Sequence, residues 1–227
     1  MKRSIDGIAF DLDGTLYPNY QLYFRVIPFI IKEFPLLLAL GKARNSIRRR
    51  AGKDAPLDGF YDLQAELMGA YLKQEAPAIR RKTEELIYRG WEPLFKRIPL
   101  YPGVRPLLEE FRGLGFKLGL LSDFPPETKA LHLKVADCFD VLLCSESIGR
   151  LKPDPLPFLT LAKAMGLPPE RILYVGNSMA YDVKGAKGAG MQAAWITRPW
   201  RSKAKGGAGG ADFVFSHYRQ LSAYVLR

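Results

Sequence analysis

Short apolar segments alternate with helix-forming segments from about residue 100 onward, and this alternation limits the fold more than any other feature of the chain. Parallel strands need a crossover connection, which a helix usually supplies, so the pattern predicts a doubly wound α/β fold with a parallel sheet between two helical layers. Another apolar segment near the N-terminus adds a first strand. The predicted strands are residues 5–10, 116–121, 141–144, 171–175, 192–197 and 211–215.

Residues 19–97 show no strand pattern; the segment is aromatic, basic and helix-forming, with prolines and glycines interrupting it. We therefore predict two domains, an α/β core formed by residues 1–18 and 98–227 and an all-helical domain formed by residues 19–97. Residues 26–40 are its most apolar part, but they are too short to cross a bilayer and contain charges and prolines. A pair of packed helices is expected there, with an element on a membrane surface as the alternative.

The composition indicates which kinds of partner and which cellular compartment to expect. Hydrophobic residues make up 48% of the chain, enough for a sizeable core, and the formal net charge of +11 favours anionic partners. Cys138 and Cys144 form no CxxC pair, so two reduced, at least half-buried thiols are expected. The N-terminal residues do not resemble a signal peptide, which predicts a cytoplasmic protein without a membrane partner. Residues 203–210 (KAKGGAGG) are expected to form a flexible surface loop.

The polar cluster after the first strand contains two carboxylates, Asp11 and Asp13, separated by a single residue. Carboxylates this close repel each other unless a cation or a shared proton intervenes, and Mg²⁺ prefers such oxygen ligands. Gly14 permits a tight turn whose N–H groups can face an anion, and Thr15 adds a hydroxyl donor for phosphate. Aspartate can also attack phosphorus and form an aspartyl-phosphate. A solvated acidic turn is the alternative.

Two more polar clusters follow the second and third strands. Ser122 follows the second strand, and its hydroxyl together with the backbone amide of Asp123 can hold a phosphate oxygen, although a serine at this place more often only caps a helix. Lys152 lies in a loop that prolines stiffen. A lysine held near Asp11 would offset the crowded negative charge and bind a phosphoryl group. An exposed loop lysine is the alternative.

Asn177 and Asp182 follow the fourth strand. An amide oxygen can ligate Mg²⁺, and a carboxylate can hold the water shell of the ion. A loop with a helix cap would explain the same pattern without any metal. The glycines Gly185, Gly188 and Gly190 are expected to permit close packing rather than to bind phosphate.

The four clusters occur in a fixed order, each after a predicted strand: DLDGTLY, LLSDF, GRLKPDP and VGNSMAYDVKGAKGAGM. In this order the chain resembles the haloacid dehalogenase-like (HAD) hydrolase superfamily, in its phosphatase branch with a helical cap inserted between the first and second motifs. The resemblance covers residues 5–17 and about 100–220. It implies a Rossmann-like core and a cap that closes over the site.

The resemblance also implies a role for each motif residue. Asp11 would be the nucleophile, and Asp13 the general acid that protonates the leaving oxygen and later activates water. Ser122 and Lys152 would bind the phosphoryl group. The magnesium ligands would be Asp11, the backbone carbonyl of Asp13, Asn177 and Asp182. Dehalogenases of the superfamily lack the second aspartate, so Asp13 favours phosphoester chemistry.

Asn177 departs from the superfamily pattern, which usually has aspartate at this position. One negative charge fewer is expected to weaken magnesium binding, and Asp182 is expected to compensate. The metal site is therefore the part of the pattern that the sequence supports least.

We therefore predict a magnesium-dependent phosphohydrolase that cleaves a small phosphorylated metabolite, a phosphate monoester, through an aspartyl-phosphate. The alternatives are a phosphotransferase or sugar-phosphate mutase on the same site, a binding module with a weakened metal site, and a nucleic-acid-associated protein. Nucleic acid is not favoured, because charge runs usually form solvated faces and no nucleic-acid-binding motif accompanies them. The basic runs are Arg44, Arg48, Arg49, Arg50 and Lys53, and Arg80, Arg81 and Lys82.

Overall fold

The computed structural model of the protein describes residues 5–50, 58–197 and 210–227. Within them lies a six-stranded sheet in the order β3-β2-β1-β4-β5-β6, in which all neighbouring strands are parallel. The strands are β1 (Gly7–Phe10), β2 (Lys117–Ser122), β3 (Val141–Cys144), β4 (Ile172–Gly176), β5 (Gln192–Ile196) and β6 (Phe213–Phe215). All six predicted strands are confirmed, each within two residues of its predicted ends.

The described part of residues 19–97, here called the helical insert, contains helices and turns, as predicted. Its elements are α1 (Asn19–Lys32), α2 (Phe34–Arg49), α3 (Phe60–Leu72), α4 (Ala76–Thr83), a π-helical turn (Glu84–Arg89) and a 3₁₀ turn (Glu92–Arg97). An apolar cluster that includes Leu40, Met68 and Ile79 joins α2, α3 and α4. By contrast, α1 contributes Leu22 and Val26 to the cluster that contains β1, so this helix packs against the sheet.

Residues 26–40 form the second half of α1 and the first half of α2, which confirms the predicted pair of helices. Val26 on α1 is buried, whereas Phe24 is 67% and Ile31 is 76% exposed on the outer side of this helix. Within the described ranges, no helix combines the length and the apolar character that a membrane crossing requires.

Helices cover both faces of the sheet, which confirms the predicted doubly wound fold. They are α5 (Val104–Gly113), α6 (Glu127–His132), α7 (Pro155–Met165), α8 (Lys184–Gly188) and α9 (Tyr218–Val225). Successive side chains of a strand point to opposite faces. In β1, Ile8 and Phe10 therefore join the cluster of α5 and α9, whereas Ala9 joins the cluster of α7 and α8.

Local sequence explains the helix ends. The helix α7 begins where Asp154 accepts a hydrogen bond from the N–H of Leu156 (2.9 Å), and it ends at Gly166, whose φ is +67°. The helix α6 ends at His132, and Lys134 beyond it takes a left-handed backbone with φ of +58°. A π-helical turn at Met179–Val183 precedes α8.

Two other expectations concern the thiols and the loops. Cys138 and Cys144 are buried, and neither forms a disulfide, as predicted. The predicted flexible loop at residues 203–210 lies outside the described residues except for residue 210. Lys53, the last residue of the first basic run, also lies outside the described residues.

The glycines of α8 differ in what surrounds them. A Cβ atom at Gly185 would lie 2.3 Å from Cε2 of Phe158, so the helix approaches α7 more closely than any side chain would permit. The predicted packing role therefore holds for Gly185. It is wrong for Gly188, which is exposed and where a Cβ would lie 3.5 Å from Pro155, an ordinary contact. Gly190 is exposed too, and its φ of +84° marks a turn instead.

We expect Gly185→Ala to lower the free energy of unfolding by about 1–3 kcal/mol, because the added methyl group displaces Phe158 from a filled core. Gly188→Ala is the matched control in the same helix, and it is expected to stabilise the protein by about 0.4–1 kcal/mol through a less flexible unfolded chain. Urea unfolding followed by circular dichroism measures both. Equal effects of the two substitutions would contradict the packing assignment.

Candidate functional site

Three neighbouring strands bring the predicted site residues together. Because β2, β1 and β4 are adjacent and parallel, they finish at the same end of the sheet, here called its carboxyl end. Asp11 follows β1, Ser122 is the last residue of β2, and Asn177 follows β4. These residues lie far apart in the sequence, and their meeting is a consequence of strand order alone.

Lys152 lies between two carboxylates. Its Nζ donates to Oδ1 of Asp11 at 2.6 Å and to Oδ1 of Asp182 at 2.7 Å. The side chain is buried, as are both partners. Burial by itself would lower the pKa of Lys152, but the two carboxylates outweigh it and raise the pKa well above its ordinary value. Lys152 is therefore a buried cation, and its exposed-loop interpretation is wrong.

Asp11 is 6% exposed and both of its oxygens are hydrogen-bonded. Oδ1 binds Lys152, and Oδ2 accepts from the hydroxyl of Thr15 at 2.7 Å. Burial raises the pKa of Asp11, Lys152 opposes this rise, and Asp182 adds to it. The interpretation of this segment as a solvated acidic turn is therefore wrong for Asp11.

Asp13 is held by a different set of groups. Tyr17 donates its hydroxyl to Oδ1, and Lys129 on α6 donates to Oδ1 at 3.1 Å and to Oδ2 at 2.9 Å. The hydroxyl of Ser122 lies 3.4 Å from Oδ2 and also accepts from the N–H of Phe124 at 3.1 Å. Burial would raise the pKa of Asp13, but Lys129 and Tyr17 outweigh burial and lower it. The free protein therefore holds Asp13 as a carboxylate.

Asn177 lies directly against the turn after β1. Its Nδ2 donates to the backbone carbonyl of Asp13 at 3.0 Å, which is the carbonyl predicted to bind metal. Gly14, with φ of +86°, makes this approach possible, because a Cβ there would lie 1.9 Å from Nδ2 of Asn177. The DxDG motif therefore needs its glycine for contact with the loop after β4.

Three oxygen donors at this point suit Mg²⁺: the Asp11 carboxylate, the Asp13 carbonyl and the side-chain amide oxygen of Asn177, since an amide can present either its nitrogen or its oxygen. Among the described residues, no group of three His, Cys, Asp or Glu side chains could hold a metal ion by itself, so the carbonyl and the amide have to contribute. Both oxygens of Asp182 accept hydrogen bonds, one from Lys152 and one from the N–H of Ser178 at 2.9 Å, as both oxygens of Asp11 do. The donor chemistry fits a hard cation that keeps several waters.

Asp123 joins the helical insert to the sheet. Its Oδ2 lies 2.8 Å from Nη2 of Arg48 on α2, and its Oδ1 accepts from the N–H of Lys152 at 3.0 Å. Burial would raise the pKa of Asp123, but Lys152, Arg44 and Arg48 outweigh it and lower the pKa. The predicted phosphate contact of Asp123 used its backbone amide, and that contact stays a prediction.

A second buried ion pair crosses the same boundary. Arg44 on α2, which is 5% exposed, forms an ion pair with Glu146, and Glu146 also accepts from the hydroxyl of Tyr88 at 3.0 Å. The interpretation of the first basic run as one solvated face is therefore wrong for Arg44 and Arg48, which bind acidic residues of the core. Arg49, in the same helix, is exposed.

The sequence analysis did not identify Lys129, Tyr17 or Glu146. Lys129 follows the Pro125-Pro126 loop that leads from β2 into the first turn of α6, and a helix that starts at a strand end often aims its first turn at the site. Tyr17 is four residues after Asp13 in the same turn. Tyr17 is the last residue of the motif DLDGTLY, whereas Lys129 and Glu146 lie outside the four motifs. Only their positions in the chain could have suggested Tyr17 and Lys129.

This arrangement is that of a doubly wound α/β enzyme with its ligand site at the carboxyl end of the sheet. The family model for haloacid dehalogenase-like hydrolases matches residues 5–190. The chain belongs to the haloacid dehalogenase-like hydrolase family, which confirms the resemblance.

Named phosphatases are among the similar proteins. Over 215 residues the chain is 30% identical to a glyceraldehyde 3-phosphate phosphatase of Methanopyrus kandleri, covering 86% of this chain and 84% of that protein. It is 31% identical over 219 residues to a phosphoglycolate phosphatase of Shigella boydii, covering 85% and 81%. The structure of a HAD phosphatase from Thermococcus onnurineus has a TM-score of 0.62 at 23% identity over 97% of this chain and 98% of that one, and this likeness concerns the fold alone. Dehalogenases also occur among the similar proteins.

We expect Arg44→Ala to lower the free energy of unfolding by about 3–5 kcal/mol, because Glu146 would stay buried without its cation. Arg49→Ala, which removes the same side chain from the exposed face of α2, is expected to change it by less than about 0.5 kcal/mol. Thermal and urea unfolding measure both variants. A small effect of Arg44→Ala, comparable with that of Arg49→Ala, would show that the ion pair contributes little.

Proposed function

We propose that the protein is a magnesium-dependent phosphohydrolase that cleaves phosphate monoesters through an aspartyl-phosphate on Asp11. The observation that carries the proposal is the contact of Lys152 with Asp11 at 2.6 Å, beside a second aspartate, Asp13, that has its own cation. A buried lysine beside a buried carboxylate provides the positive charge that a phosphoryl group needs where it meets its nucleophile. The named phosphatases among the relatives support the same reaction class.

In the first step, a carboxylate oxygen of Asp11 attacks phosphorus. The new O–P bond forms as the bond between phosphorus and the ester oxygen breaks, and Asp13 gives its proton to the departing oxygen. Lys152 stays close to Asp11 and stabilises the charge that develops on the phosphoryl oxygens. The hydroxyl groups of Thr15 and Ser122 and the backbone amide of Asp123 are the further donors for those oxygens.

In the second step, water attacks the phosphorus of the aspartyl-phosphate. Asp13, now a carboxylate, takes a proton from that water, and the acyl phosphate bond breaks to release phosphate and restore Asp11. Lys129 and Tyr17 stabilise the carboxylate form of Asp13 that this step requires. Substrate must enter before the first step, and its negative charge close to Asp13 favours the protonated form that the first step requires.

Magnesium bound by Asp11, the Asp13 carbonyl and Asn177 would neutralise negative charge around the transferring phosphoryl group. In this proposal Asp182 supports the site through Lys152 and through the water shell of the ion. The helical insert, residues 19–97, acts as a cap domain over a core formed by residues 1–18 and 98–227. Closure of this cap excludes water and strengthens the charge interactions below it.

Asp13 separates this proposal from a dehalogenase. Hydrolysis of a carbon–halogen bond leaves a halide, which needs no proton, so a second carboxylate beside the nucleophile has no evident use there. Here the second carboxylate has three side-chain partners, Tyr17, Lys129 and Ser122. A carboxylate that three side chains hold in place suits proton transfer, and an alkoxide leaving group needs such a proton.

Asp11→Asn is expected to lower kcat at least about 10³-fold on every phosphate ester that the wild-type protein hydrolyses in the presence of magnesium, because the amide cannot form the acyl phosphate. Phosphate release over a panel of phosphorylated metabolites measures the loss. Asp137→Asn, at an exposed position of the turn before β3, is the matched control and should retain the wild-type rate. Comparable rates in Asp11→Asn and wild type would remove Asp11 from the reaction.

Asn177→Asp is expected to raise the affinity for magnesium, because it adds a negative charge beside Asp11. Without metal, the new carboxylate would face the Asp13 carbonyl with no N–H between them, which should cost about 1–3 kcal/mol of stability. Magnesium should therefore raise the Tm of this variant more than that of the wild type.

Thermal unfolding with and without magnesium chloride tests this metal site, and isothermal titration gives the Kd. Asn45→Asp adds the same charge on the exposed side of α2, and magnesium should raise the Tm of this variant by the same amount as that of the wild type. An equal or smaller magnesium effect in Asn177→Asp would argue against Asn177 as a ligand.

A further inference from the structure

A cavity of about 790 Å³ lies between the helical insert and the carboxyl end of the sheet. Asp13 and Lys129 line it from the side of the sheet, and residues from α1, α3 and α4 and from the turns after α4 line it from the side of the insert. In the proposed reaction Asp13 protonates the leaving oxygen. The cavity therefore begins where the leaving group departs from phosphorus.

The inner walls of the cavity are apolar. Side chains that are at most 7% exposed come from both α1 and α3 and from the turns that follow α4: Leu22, Ala65, Met68, Ile87 and Phe95. One wall is an aromatic row, in which Tyr88 lies 5.8 Å from Tyr61 and 5.8 Å from Phe124 between ring centroids. An apolar surface of this kind favours apolar ligand groups that leave water.

Two arginines of the lining are paired with acidic residues. Arg80 forms an ion pair with Asp62, and Arg89 binds Glu84 at 2.9 Å. The side chains of Arg80 and Arg89 are 51% and 74% exposed, so they belong to the solvent-facing side of the cavity. Their charges therefore offer little to a ligand deep inside the cavity, whereas Lys129 lies beside Asp13 where the cavity meets the sheet.

Two buried polar atoms of the lining have no hydrogen-bond partner among the described residues: Oε1 of Gln64 and Nε1 of Trp91. Gln64 is 3% exposed, and its other amide atom, Nε2, donates to the hydroxyl of Tyr88 at 3.1 Å. The Tyr88 hydroxyl donates onward to Glu146, which fixes the orientation of the amide. Buried polar atoms without partners cost stability, so these two favour a ligand with one hydrogen-bond donor for Oε1 of Gln64 and one acceptor for Nε1 of Trp91.

We infer that the leaving group of the natural substrate is a bulky, ring-containing alcohol that is apolar apart from the polar groups that pair with Gln64 and Trp91, rather than part of the small phosphorylated metabolite that the sequence predicts. This inference rests on the proposed function, because it takes Asp13 as the acid that meets the leaving oxygen. The cavity has the size that drug-like ligands occupy, about 300–1,000 Å³. A two- or three-carbon phosphate ester would leave most of the apolar wall in contact with water.

The test compares two esters with the same kind of leaving oxygen, 2-(2-naphthyl)ethyl phosphate and ethyl phosphate. Both release a primary alcohol, so their chemical reactivity is matched and the naphthyl ring is the difference. With magnesium present, kcat/KM for the naphthyl ester should exceed that for ethyl phosphate by at least about 10-fold, because the ring leaves water on binding. A ratio near one, or a preference for ethyl phosphate or 2-phosphoglycolate, would overturn the inference.

Ala65→Phe fills part of the cavity from α3 and should lower the ratio of the two kcat/KM values at least about 5-fold. Ala70→Phe places the same ring on the exposed side of α3 and should leave the ratio unchanged. Thermal unfolding checks that both variants fold, and Ala65→Leu replaces Ala65→Phe if the larger side chain destabilises the helix. An unchanged ratio in a folded Ala65 variant would also overturn the inference.

A binding measurement separates this inference from the proposed function. Isothermal titration of the Asp11→Asn variant with each ester requires no turnover. A Kd for the naphthyl ester that is at least about 10-fold lower than that for ethyl phosphate supports the leaving-group assignment. If the wild-type protein hydrolyses neither ester, that result refutes the proposed phosphohydrolase activity but not the leaving-group assignment. Equal Kd values would reject the leaving-group assignment even if both esters are hydrolysed.

Discussion

The buried ammonium group of Lys152 is the interaction on which the rest of the site depends. Lys152 is 3% exposed, and a charge at such depth is tolerable only when it is paired. Asp11 and Asp182 supply the pairing, and the lysine in turn prevents the repulsion that two buried carboxylates would otherwise exert. Gly176 permits this arrangement, because a Cβ there would lie 2.3 Å from the side chain of Asp182.

Charge pairs also fix the helical insert above this centre. Arg48 binds Asp123, which also accepts a hydrogen bond from the backbone of Lys152, so the position of α2 is linked to the position of the lysine. Arg44 binds Glu146 in the turn that follows β3. The insert therefore covers the site through buried ion pairs, and separation of the two parts would expose those charges to water.

The strands and the motif residues could be predicted from the sequence because both leave local signals. Apolar runs mark the strands, and the order of strands in a parallel sheet brings Asp11, Ser122 and Asn177 to one end. The partners of Arg44 and Arg48 could not be predicted, because Glu146 and Asp123 are 102 and 75 residues away and the local pattern resembles a solvated face. Lys129 was missed for the same reason: its contact with Asp13 depends on how α6 docks, which no periodicity encodes.

The central claim is that the phosphoryl group passes through Asp11. Rapid mixing of the protein with magnesium and a ³²P-labelled phosphate ester, followed by acid quenching and peptide mapping, tests it most directly. The account predicts a transient, base-labile label on the peptide that contains Asp11, formed at a rate at least equal to kcat. Turnover without any label on that peptide, or a stable label on another residue, would contradict it.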